Sequence, residues 1–212
     1  RKSDMRYEHR RHANATTEPI ILGSTDRPLT PKGEQQAAEC GKLLKAYPVD
    51  AVFSSPMKRT YQTAKAAYLE KTPILIEGLR EYGFGELEEK PYAQFFNDDK
   101  IFDLDRMLAI ACKTQSAEKQ KDFLDRIFEA FSKIIESCMK TGVRTIAVFS
   151  HGGVISTLMA AFSYPKYENL SCWLPDNCSG YVLKTDPTLW MRDRTVENIG
   201  RIEFGKIIEK ER

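Results

Sequence analysis

Long apolar runs are missing from this chain. No stretch approaches the roughly 20 residues that span a bilayer, and the N-terminal residues hold no apolar block of the kind that forms a secretory leader. No membrane partner is expected, and the reading is a soluble, cytoplasmic protein. Charge of one sign is missing too: 32 Lys plus Arg face 30 Asp plus Glu, a formal net charge of +2. So small an excess argues against a broad basic surface, and no nucleic-acid partner is expected. Cysteine is sparse and odd in number, five in all at positions 40, 112, 138, 172 and 178. The spacing fits no disulfide framework, and Cys172 and Cys178 have no neighbouring histidine to complete a zinc site. Reduced thiols packed as small apolar groups are expected.

What is present is an ordinary globular composition, 42% hydrophobic and 29% charged over 212 residues. That length suits one domain able to bury about two-thirds of its unfolded surface. Residues 1–4, ahead of Met5, read as a disordered lead without a role. Residues 5–11 are expected to form a first strand, although Arg6, Glu8, His9 and Arg10 make it far more polar than a buried parallel strand normally is.

From there strands and capped helices alternate. Thr30 can cap and Pro31 can open a helix that buries Ala37, Cys40 and Leu44 and ends near Lys45. Residues 51–53 make a short apolar strand, and Ser55-Pro56 introduces a second helix with Arg59 in its first turn. Residues 73–76 give another short strand, followed by an acidic, glycine-broken loop over 79–89. Residues 92–111 read as mostly helical, and 116–139 as an amphipathic helix with Phe123, Ile127, Phe128, Phe131, Ile134, Ile135 and Cys138 on one stripe. A nearly all-apolar strand over 145–149 then runs into Ser150-His151-Gly152-Gly153 and a helix from Val154 to Phe162. Segments 179–184 and 201–204 are expected to close the sheet as antiparallel strands. The order of elements is α/β: a three-layer sandwich with a mainly parallel central sheet and helices on both faces. One domain over 1–212 is expected, with 89–140 as a helical insert.

Only three histidines occur, and two of them stand out. His12 lies in Arg11-His12-Ala13 and His151 in Ser150-His151-Gly152-Gly153, each at the end of an expected strand; His9 is assigned no role. In open α/β sheets ligands gather at those carboxyl ends. Arg59 is expected at a third such end, and the helix after Gly152-Gly153 would add backbone N–H groups suited to a phosphate.

These residues resemble the histidine phosphatase superfamily, the phosphoglycerate mutase-like fold. The resemblance runs through Arg11-His12-Ala13, Gly23-Ser24-Thr25-Asp26-Arg27-Pro28-Leu29-Thr30 with Gly33, Ser54-Ser55-Pro56-Met57-Lys58-Arg59, Leu79-Arg80-Glu81 with Gly85, and Ser150-His151-Gly152-Gly153, in the family's order. It implies that His12 is a nucleophile forming a phosphohistidine, with no metal and no cofactor. Arg11, Arg59 and a protonated His151 would hold the phosphoryl oxygens, with Asn14 and the Gly152 N–H as further donors. Glu81 would act as acid and then base, and Ser24 would touch substrate. From local sequence alone Glu77, Glu86, Glu88 and Glu89 compete with Glu81. Ser24 stands where the family often has arginine, and the loop from His12 to Gly23 is shorter than its usual form.

Two activities divide that family. The resembling mutases carry a Glu-Arg-His-Tyr-Gly type stretch, whereas Glu81-Tyr82-Gly83-Phe84-Gly85 lacks the Arg-His pair. The reading is therefore a metal-independent phosphomonoester hydrolase acting on a small phosphorylated metabolite, with α-ribazole phosphatases as one possibility for its substrate group. The alternatives are a phosphoglycerate-type mutase and a catalytically silent phospho-ligand binding protein. Segment 89–111 overhangs the site in this reading, as an apolar lid or as plain helix packing.

Overall fold

A computed structural model describes residues 20–95, 104–166, 169–203 and 206–209. The lead at 1–4, the first strand expected at 5–11 and the residues Arg11, His12, Ala13 and Asn14 lie outside the described residues.

Helix α1 (Pro31–Leu44) starts where its capping chemistry dictates. Thr30 is extended and its hydroxyl accepts the Gly33 N–H at 3.1 Å, while Pro31 takes the first helical position. Helix α2 (Lys58–Ala67) packs against it. The two approach so closely that a Cβ on Gly41 would lie 2.4 Å from the Ala66 carbonyl oxygen. Any larger residue there would push the helices apart.

Among the described residues, strand β1 (Ala51–Ser54) is the middle of three parallel strands, with β2 (Ile74–Leu75) on one side and β3 (Ile146–Phe149) on the other. Ala51 pairs with Ile146 and Ser54 with Phe149. Because side chains alternate across a strand, Phe53, Ile146 and Val148 pack into the large core, whereas Phe149 packs against Cys40, Leu44 and Ala67. Helices α1 and α2 thus cover one face. The other is covered by α4 (Gln120–Thr141) and α5 (Gly152–Phe162), with α3 (Leu104–Ala111) contributing Leu104, Met107, Leu108 and Ala111 to the same core. The expected stripe on α4 is buried as read, apart from the half-buried Phe128, and Ala130 joins it. Each fully buried large side chain there contributes about 1.5–3 kcal/mol. Among the described residues no helix is long and apolar enough to cross a membrane.

The remaining described strands pair with one another in mixed orientation. Strand β5 (Gly180–Lys184) runs antiparallel to β6 (Val196–Glu203), with Tyr181 opposite Arg201, and β7 (Lys206–Glu209) returns antiparallel along β6. Strand β4 (Ser163–Tyr164) pairs parallel with β6. The antiparallel closing pair matches expectation, but β6 begins at Val196 rather than at 201. Strands β4 and β7 and helix α6 (Pro187–Asp193) were not anticipated. The signal for α6 was there: Asp186 caps it by accepting the Leu189 N–H at 2.9 Å, and Pro187 comes next.

Two boundaries move for a physical reason. The described part of 92–111 is a short 3-10 turn at Tyr92–Gln94 followed by α3. Helix α4 begins at Gln120, not at 116, because Ser116 and Glu118 spend hydrogen bonds on the acidic loop. Ser116 Oγ accepts the Glu86 N–H at 2.9 Å, and the Glu118 N–H donates to the Gly83 carbonyl at 2.7 Å.

Candidate active site

The ends of β1 and β3 meet first. The Ser55 N–H donates to the Phe149 carbonyl at 2.9 Å, which brings the Ser55 hydroxyl under the turn after β3. His151 occupies that turn as the residue capping α5, in extended backbone, and its carbonyl accepts the Ile155 N–H at 2.8 Å. Its imidazole is 6% exposed, and Nε2 lies 2.9 Å from Ser55 Oγ. Ser150, next to it, donates its hydroxyl to the Leu79 carbonyl at 2.9 Å, tying the turn to the acidic loop.

Burial holds the His151 imidazole well below its ordinary range, and the positive charges of Arg59, Arg80 and Arg126 push it the same way. Both effects disfavour the imidazolium in the absence of a nearby negative charge.

Glu81 arrives from the acidic loop. Its Oε2 accepts the Gly153 N–H at 3.1 Å and its Oε1 accepts the Tyr82 N–H at 3.0 Å. The carboxylate thus rests on the first turn of α5, where the helix dipole favours negative charge. Gly153 is needed for this seat, since a Cβ there would lie 2.6 Å from Glu81 Oε1. The same contact uses one of the N–H groups expected to meet a phosphate; the Gly152 N–H sits one residue earlier.

Arg59 comes from the first turn of α2. Its Nη1 donates to the Thr25 carbonyl at 2.8 Å and its Nη2 to the Gly23 carbonyl at 2.7 Å. A guanidinium has five N–H donors, so these two bonds anchor the group and leave others to meet a ligand. Burial pulls its pKa down, with the carboxylates of Glu81, Asp26 and Glu88 opposing that pull. Arg59, Glu81 and His151 line one concavity.

The competing acids separate by what they touch. Glu88 accepts the Ser24 N–H at 2.9 Å, the Ser24 hydroxyl at 2.8 Å, the Phe84 N–H at 2.9 Å and the Thr25 hydroxyl. It ties two loops together. Glu89 is exposed and pairs with Arg27, Glu77 lies 3.8 Å from Arg80 at the surface, and Glu86 is exposed. Glu81 alone among the five rests on the His151 turn. Ser24, expected to touch substrate, donates its hydroxyl to Glu88.

The structure thus brings Arg59, Glu81, His151 and Gly152 together and draws Ser24 into a loop contact. Arg11, His12 and Asn14 lie outside the described residues. Sequence reasoning missed Ser55 as the partner of His151 and Glu88 as a loop tie. Nothing in a linear pattern pairs residues 55 and 151, because the contact exists only once β1 and β3 are parallel neighbours. Among the described residues no three His, Cys, Asp or Glu side chains converge as a metal site would require.

Comparison with known proteins places the chain in a family. The family model described as the histidine phosphatase superfamily (branch 1) matches residues 10–197. A broad-specificity phosphatase of Saccharomyces cerevisiae, YOR283W, is 30% identical over 157 residues; the match covers 71% of this chain and 64% of the yeast protein. The crystal structure of a phosphoglycerate mutase from Thermus thermophilus superposes with a TM-score of 0.56 at 28% identity, covering 88% of this chain and 90% of that one. An α-ribazole phosphatase from Shigella flexneri shares the fold with a TM-score of 0.67 at 20% identity, over 91% of this chain and 92% of that one.

Proposed function

Because the chain belongs to the histidine phosphatase superfamily, we propose that it is a phosphomonoester hydrolase acting on a small phosphorylated metabolite through a phosphohistidine and without a metal. The observation that carries this reading is the seating of the Glu81 carboxylate on the Gly153 N–H, two residues beyond a buried His151 and in the field of Arg59.

The reaction runs in two displacements. A neutral His12 nitrogen attacks phosphorus, the N–P bond forms, the ester O–P bond breaks, and the leaving alkoxide takes the proton of Glu81. Water then attacks phosphorus, Glu81 takes its proton, and the N–P bond breaks to release phosphate. A loose transition state asks the protein mainly for position and charge. Arg11, Arg59 and His151 hold the non-bridging oxygens, with Asn14 and the Gly152 N–H as additional donors. The incoming phosphate supplies the negative charge that lets His151 take up a proton, so the imidazolium forms only when substrate is bound.

Hydrolysis is favoured over mutase chemistry by the residues just after Glu81. Tyr82 is 1% exposed and Phe84 6% exposed, both packed in the core, so this stretch turns inward and presents no second cation to a doubly charged acid. A cytoplasmic location is favoured by the five unpaired cysteines, the expected state in a reducing compartment. The chain acts as one domain in this reading.

The test is hydrolysis of p-nitrophenyl phosphate and a panel of metabolite phosphates in EDTA, with His12→Ala as the control. Turnover should survive EDTA and fall at least about 10³-fold in the variant, and acid-labile, base-stable radiolabel should be trapped on protein. Turnover lost to EDTA, or label esterified to serine, would overturn the reading. Interconversion of phosphoglycerates faster than hydrolysis would establish the mutase alternative; tight phosphate binding without turnover would establish the silent one.

A further inference from the structure

The loop that delivers Glu81 has no regular secondary structure between the 3-10 turns at Glu77–Leu79 and Gly85–Leu87, so something else must hold it. The holding group is one side chain from α4. Arg126 Nη1 donates to the Gly78 carbonyl at 3.0 Å and the Arg80 carbonyl at 2.6 Å, and Nη2 donates to the Glu81 carbonyl at 3.0 Å. Its Nε and Nη2 meet the two oxygens of Glu118 at 2.6 and 2.8 Å. These five bonds use all five N–H donors of a guanidinium. Three go to the backbone of the loop and two to a fork-shaped carboxylate pair, a geometry a lysine cannot copy.

Glu118 closes the frame from the other side. Its Oε2 accepts the Gly83 N–H at 3.1 Å, its own N–H donates to the Gly83 carbonyl at 2.7 Å, and its carbonyl accepts the Tyr82 hydroxyl. The guanidinium also lies 5.0 Å from the centre of the Phe123 ring, and both charged side chains are largely buried, at 25% and 21% exposure. Gly78 sits directly on α4, where a Cβ would lie 2.7 Å from that of Ala130. The backbone of 78–83 is thereby fixed against α4, while the Glu81 carboxylate projects onto α5.

We propose that Arg126, paired with Glu118, is a positioning residue for the proton-donating Glu81, setting where its carboxyl meets the leaving oxygen of the substrate. This rests on the reading of Glu81 given above. General acid catalysis contributes about 10²–10⁴ in rate, and a displacement of about 1 Å can cost about 10²-fold, so the frame acts on the step most sensitive to geometry.

The leaving group separates this role from plain structural support. An alkyl phosphate expels a strongly basic alkoxide and needs the proton; p-nitrophenyl phosphate expels a stable phenolate and hardly needs it. Arg126→Gln should lower kcat/KM about 30- to 100-fold on an alkyl phosphate and less than about threefold on p-nitrophenyl phosphate. Glu81→Gln should show the same selectivity, and the double variant should lose little more than Glu81→Gln alone. Should Arg126→Gln not fold, Glu118→Gln, which keeps an acceptor for the Gly83 N–H and removes the charge that orients Arg126, should show the selective loss at smaller size. Equal losses on both substrates, or none, in the frame variants while Glu81→Gln remains selective would overturn this inference alone. A Glu81→Gln variant without selectivity would overturn it together with the proton-donor reading.

Discussion

The two halves of the candidate site are held by different means. His151 stands on the joint between β3 and α5, a strand end and a helix cap, and would be placed there by the regular elements alone. Glu81 stands on an irregular loop whose position is set by side chains from distant segments: Arg126 and Glu118 below it, and Glu88 beside it, gripping Ser24 and Thr25. They meet through the hydrogen bond from the Gly153 N–H to Glu81 and through that from the Ser150 hydroxyl to the Leu79 carbonyl. Periodic structure is robust because many equivalent bonds share the load; the loop depends on a few charge-assisted bonds, each of which matters by itself.

That contrast can be broken most sharply at Glu88. Glu88→Ala leaves the N–H groups of Ser24 and Phe84 and two hydroxyls without their acceptor. The expected loss is about 3 kcal/mol, read as a lower midpoint in urea unfolding with the slope unchanged. A loss below about 0.5 kcal/mol would mean that the loop is held by packing instead.

The bond that seats Glu81 on the other half offers the next test. Gly153→Ala drives a methyl group to within 2.6 Å of Glu81 Oε1 and so moves the carboxylate without touching α5's hydrophobic face. kcat/KM on an alkyl phosphate should fall roughly 30-fold, about 2 kcal/mol, while the melting temperature changes little. Unchanged kinetics would show that Glu81 works from elsewhere.

The smallest effect concerns the His151 half alone. Its folded pKa lies below the ordinary 6.5, so the unfolded chain binds the proton more readily. Stability tied to this group is therefore fully present above about pH 6.5 and is lost as the pH falls below that value. At one pH unit below, the loss is up to about 1.4 kcal/mol. Comparing urea unfolding at pH 7.5 and 5.5 for the wild type and His151→Gln isolates it: the wild type should lose more than the variant. Added phosphate should reduce the difference, because its charge favours the imidazolium. An equal loss in both proteins would remove the claim that burial keeps this ring neutral.

These residues also show how much of the molecule could be read beforehand. The α1 cap at Thr30-Pro31, the stripe on α4 and the apolar run of β3 are products of local chemistry and periodicity, and all three appear where expected. The placement of Arg59, Glu81 and His151 at the ends of their elements came from motif order. The choice of Glu81 among five glutamates came with the family resemblance too, and local sequence alone left it open. Glu81 and Glu88 are chemically identical and seven positions apart, and only the partners brought in by folding make one a loop tie and the other a companion of His151. Helix α4 starts late for the same reason, since Ser116 and Glu118 bond to the loop rather than to the next turn.

Taken alone, the sequence determined the alternation of strands and helices, the faces they bury and the residue types available for phosphoryl chemistry, because those depend on contacts within a turn or two of chain. Tertiary structure decided which carboxylate meets the helix, that His151 is buried against Ser55, and that Arg126 spans Gly78, Arg80 and Glu81. Each of those is a contact between segments far apart in the chain, and both charge state and donor geometry depend on what burial removes from water.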